Sequence, residues 1–71
     1  MTPDLLREAG EALFGPQWQT ALSRDLEVND RTIRRWANGQ NPVPDGLAAD
    51  LRALLKARGF ALAAVRRKLR R

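Results

Sequence analysis

The sequence predicts an all-α domain of five helices, and three observations carry that expectation. Apolar residues recur at helical spacing in 5–13 and 47–55; capping residues and prolines stand where helices would begin; glycines stand where they would end. The 71 residues are expected to form a single domain, whose small core would gain from a partner subunit.

The first helix begins at Thr2-Pro3-Asp4, where threonine can cap, proline suits the first helical position and aspartate suits the positive end of the helix dipole. Leu5, Ala9, Ala12 and Leu13 trace its buried stripe, with Leu6 widening it and Arg7, Glu8 and Glu11 facing water. Gly15 stops it. Pro16 opens a second helix that runs to about Leu26, with Phe14 and Trp18 at the junction.

From Trp18 to Gly39 the apolar residues are Leu22, Leu26, Val28, Ile33 and Trp36, a spacing that fits two helices crossing at a turn. Leu22 and Leu26 share one face, Ile33 and Trp36 share another, and Val28 plugs the corner. The small Ser23 falls where the helices approach most closely. Asn29 can cap the third helix and Asp30 suits its first turn, while Asn38-Gly39 closes it with glycine in the left-handed position. Ile33, Trp36 and Ala37 point inward, which leaves Asp30, Arg31, Arg34, Arg35 and Asn38 outward.

The prolines of Gln40-Asn41-Pro42-Val43-Pro44-Asp45-Gly46 forbid helix through Val43. A fourth helix is expected from Pro44 or Asp45, with Leu47, Leu51, Leu54 and Leu55 as its core stripe and Gly59 as its end. A fifth, basic helix follows over residues 60–71. Its apolar half, Phe60, Leu62 and Val65, can complete the core or a dimer interface; its basic half can meet DNA backbone, lie on an anionic membrane, or remain solvated. The segment is short for a membrane anchor, and its charges are not confined to one face.

The segment DRTIRRWANG and the residues before it resemble the helix-turn-helix of the phage Cro and repressor family of small DNA-binding domains. Leu22, Ser23, Leu26, Val28, Ile33 and Trp36 match the packing positions of that motif, and residues 16–39 match its core. The family usually has glycine at the turn, where this chain has Glu27; a left-handed non-glycine residue costs roughly 1 kcal/mol. The resemblance implies a Cro/repressor-like fold and a sequence-specific regulator of transcription. It implies a repressor working as a homodimer on a pseudo-palindromic operator, with the third helix in the major groove.

Charge agrees with a polyanionic partner. The net charge is +5, and its distribution is uneven: residues 1–51 hold all eight acidic residues against five basic ones, and residues 52–71 hold eight basic residues and no acid. Without cysteine or histidine the chain lacks the commonest metal ligands and acid–base groups. No cofactor, metal or small-molecule ligand is indicated. Asp4, Glu8 and Glu11 are the nearest approach to a carboxylate cluster, and a solubilising helix face explains them more simply than an enzyme does. No apolar run approaches the ~20 residues of a membrane span, and no signal-peptide pattern opens the chain, so a cytoplasmic location is expected.

Arg31 and Arg35 are the candidate base readers, since arginine can grip guanine O6 and N7 with two parallel N–H bonds. Asp30 either accepts from a cytosine amino group or orients Arg34 across one helical turn, and Arg34 is placed to reach phosphate. Asn29, Thr32 and Asn38 fit backbone contacts that set register, and Thr32 can alternatively touch a thymine methyl. The resemblance carries backbone contacts over to Gln19 and Trp18 at the start of helix two, and to Gln40 and Asn41 after helix three. For Trp18 a packing role competes with a phosphate contact; for Gln40 and Asn41 plain solvation does. An antitoxin or accessory subunit that docks its basic tail on an acidic partner is the alternative to a regulator.

Overall fold

A computed structural model describes residues 1–70. Its elements are α1 (Pro3–Phe14), a 3-10 turn (Gly15–Gln17), α2 (Trp18–Leu26), α3 (Asp30–Ala37) and α4 (Leu47–Leu69). Among the described residues there is no strand, and no helix is long and apolar enough to cross a membrane.

The helix starts follow the local chemistry. Thr2 Oγ1 accepts from the Leu5 amide at 3.1 Å with Pro3 behind it, and Asn29 Oδ1 accepts from the Arg31 amide at 2.8 Å. Each side chain thereby satisfies an amide that the helix leaves without a partner.

The ends of α2 and α3 share one closure. Glu27 adopts the left-handed conformation at φ 54°, and the Val28 amide donates back to the Ser23 carbonyl at 3.0 Å. Gly39 does the same at φ 78°, with the Gln40 amide donating to the Arg35 carbonyl at 2.9 Å. Both are six-to-one closures of the Schellman type. Glu27 therefore takes the strained option rather than reshaping the turn. The returned hydrogen bond and the half-buried Val28 offset a cost of roughly 1 kcal/mol.

Leu6, Leu13, Trp18, Leu22, Ile33, Ala37, Val43, Leu47 and Leu51 form the core. α1, α2 and α3 pack on one another, and α4 packs on α1. Val43, held between Pro42 and Pro44, anchors the loop after α3 to that core.

Four expectations need correction. The fourth and fifth helices are one: α4 passes through Gly59 without a break. A glycine ends a helix when the following chain supplies a left-handed closure, and here helix-forming residues follow instead. The single interior glycine costs only about 1 kcal/mol. The basic segment from residue 60 is thus the second half of α4, and Arg71 lies outside the described residues. Secondly, α4 starts at Leu47, because the Leu47 amide bonds the Pro44 carbonyl at 3.1 Å in a turn over Asp45-Gly46. Thirdly, α1 buries Leu6, Gly10 and Leu13, leaving Leu5 and Ala12 exposed. Fourthly, Leu55 is exposed while Leu47 and Leu51 are buried. In both helices the stripe is real, but the body covers only part of it.

Candidate nucleic-acid interface

α3 is placed by its inner face. Ile33 is fully buried and Ala37 nearly so, with Trp36 half-buried at the core's edge. Arg7, on α1, adds a tether: its Nη2 donates to the Ala37 carbonyl at 3.3 Å, where α3 leaves carbonyls without helical partners. A cation at that end also opposes the negative pole of the helix.

With the inner face fixed, Arg31, Arg34 and Arg35 stand exposed on the other side. Asp30 accepts from Arg34 Nη2 at 2.9 Å across one helical turn, so the carboxylate engages the protein's own guanidinium. Both side chains are well exposed (58% for Arg34, 41% for Asp30), which limits the pair to about 0.3–0.5 kcal/mol. Its effect is to orient Arg34. Among the described residues, the side chains of Arg31 and Arg35 make no hydrogen bond or ion pair. Two unengaged guanidinium groups four residues apart therefore project from one face of a short, doubly capped helix.

The polar residues around them fall into two sets. Asn29, Thr32 and Asn38 belong to the α3 segment, Asn29 and Asn38 exposed and Thr32 half-buried. Asn29 Oδ1 is occupied by the cap, which leaves its amide N–H groups as donors. Gln40 and Asn41 are exposed directly after the helix, their backbone amides tied to the Arg35 carbonyl at 2.9 and 3.4 Å. Gln19 is half-buried at the start of α2.

Trp18 leaves the site. It is 4% exposed and its ring packs against Gly10 of α1, so its role is in the core. The signal for this in the sequence is Gly10 itself: a glycine inside an otherwise well-formed helix often marks the close approach of a neighbour. Arg7 faces water by its helical position, and only its long side chain reaching the Ala37 carbonyl makes it the tether of α3.

No family model matches the chain, and neither a curated protein nor a solved structure matches it.

Proposed function

We propose that this protein is a sequence-specific double-stranded DNA-binding regulator, acting as a repressor with α3 in the major groove. The observation that carries the reading is the pair Arg31 and Arg35, exposed and without internal carboxylate partners on a helix whose back and ends are fixed. In this reading they grip guanine edges, Arg34 meets phosphate under the guidance of Asp30, and Asn29, Thr32, Asn38, Gln19, Gln40 and Asn41 set register on the backbone. Binding itself is the regulatory act: two copies on half-sites about one turn of DNA (10–10.5 bp) apart occlude a promoter.

The reading is supported by the resemblance of residues 16–39 to the Cro and repressor motif and by the cationic character of the exposed α3 face. Selection of bound duplexes from a random pool tests it. A symmetric consensus containing guanine at fixed positions in each half is the expected outcome; a pool that stays random through successive rounds would refute it. The second reading, a protein-interaction module, draws on the exposed apolar and basic second half of α4.

A further inference from the structure

α4 is longer than the body it packs on. Its 23 residues span about 34 Å at 1.5 Å per residue, and the molecule measures 49 × 21 × 21 Å, so the second half projects as an arm. Every large apolar side chain beyond Leu54 is exposed: Leu55, Phe60, Leu62, Val65 and Leu69.

These are not scattered. Ala48, Leu51, Leu55, Arg58, Leu62, Val65 and Leu69 are separated by three or four residues alternately, which is a heptad seam along one side of α4. Arg58 is its one polar member, and Phe60 lies on the opposite side. The seam begins against the body, where Ala48, Leu51 and Leu55 face Met1 and, from α1, Leu5 and Ala9 across an open apolar groove of ≈ 170 Å³ with Arg52 also in its lining. It then continues, uncovered, to Leu69.

We infer that the occupant of this groove is the arm of a second copy, with the two α4 helices packed antiparallel along the seam. Register supports it. Centred on residue 60, an antiparallel pair sets Leu55 opposite Val65 of the other copy and Arg58 opposite Leu62, and brings Leu69 to the groove mouth beside Met1 and Leu5, over the already buried Leu51. That repeats at both ends by twofold symmetry, so each copy's arm fills the other's groove. Charge selects the orientation. The arm carries Arg66, Arg67, Lys68 and Arg70, whereas residues 1–50 hold all eight acidic residues against five basic ones. Asp4 and Glu8 are exposed on α1 within three residues of Leu5, Asp4 in an ion pair with Arg7 at 3.6 Å. A parallel pair would instead set the two basic arms side by side. Arg58 lays its aliphatic stem over the facing Leu62 and turns its guanidinium outward. This inference rests on the homodimer part of the proposed function but not on DNA contact.

The test needs no DNA. Because the chain has no cysteine, Leu55→Cys and Val65→Cys can be made singly and oxidised alone or mixed. The antiparallel register predicts interchain disulfide in the mixture and little in either variant alone. Sedimentation equilibrium should show a dimer that Leu62→Arg, which sets like charges opposite Arg58, converts to monomer, with helix content by circular dichroism retained. Arg58→Leu should tighten it by about tenfold or more, since it adds an apolar residue at the seam's centre. The inference is overturned if the native chain stays monomeric at every concentration tried, or if each cysteine variant cross-links efficiently with itself. A monomer whose arm instead captures an acidic amphipathic peptide would equally overturn it.

Discussion

The ring of Trp18 fills the space that a side chain at residue 10 would need. A Cβ built on Gly10 would lie 2.5 Å from Trp18 Cδ2, well inside van der Waals contact. The contact joins α1 to α2 and so fixes the platform from which α3 is presented. Gly10→Ala should lower stability by about 1–3 kcal/mol through overpacking, read as a fall in the urea or thermal midpoint. A variant of native stability would show that the two helices do not approach this closely.

Glu27 offers the opposite case. Its left-handed conformation is imposed by the closure of α2, and glycine adopts that conformation without steric cost. Glu27→Gly should raise stability by up to about 1 kcal/mol, less whatever the more flexible unfolded chain takes back. A clear loss of stability would mean that the Glu27 side chain contributes more than its backbone strain costs.

Asn29 is assigned two roles that substitution can separate. Asn29→Ala removes the cap on α3 and should cost about 1 kcal/mol of stability, whereas Asn29→Asp keeps a capping oxygen and should cost little. The aspartate adds negative charge where a phosphate is proposed to lie, so it should weaken DNA binding despite its stability. Equal DNA affinity for Asn29→Asp and the native chain would remove Asn29 from the interface.

Asp30→Asn breaks an exposed pair and should shift stability by no more than about 0.5 kcal/mol. Loss of one negative charge should raise affinity for all duplexes alike, by less than the charge alone would give because Arg34 loses the partner that orients it. If discrimination falls at one base pair instead, Asp30 reads a base directly.

The segment from Trp18 to Gly39 was legible because its signals are local. Asn29 caps, Gly39 closes, and Leu22, Ile33 and Ala37 fall on inward faces at helical spacing, so a window of a few residues contains the physics. Glu27 was legible as a strained position, although only the structure shows which way the strain resolves. What failed to read was extent. The periodicity of Leu5, Ala9 and Ala12, or of Leu51 and Leu55, tells which side of a helix is apolar but not how far the body reaches along it. Gly59 misled because glycine permits a helix end without requiring one. The bond from Arg7 to the Ala37 carbonyl spans 30 residues and leaves no local mark.

The central claim is that Arg31 and Arg35 read bases from the outward face of α3. It is tested most directly by titrating the Arg31→Ala and Arg35→Ala variants against the selected duplex and its single-base substitutions at one fixed salt concentration. The account predicts that each variant loses about 1–3 kcal/mol on the consensus and becomes indifferent to one particular base pair while still discriminating at the others. Unchanged affinity and preference, or a uniform loss across all sequences, would contradict it.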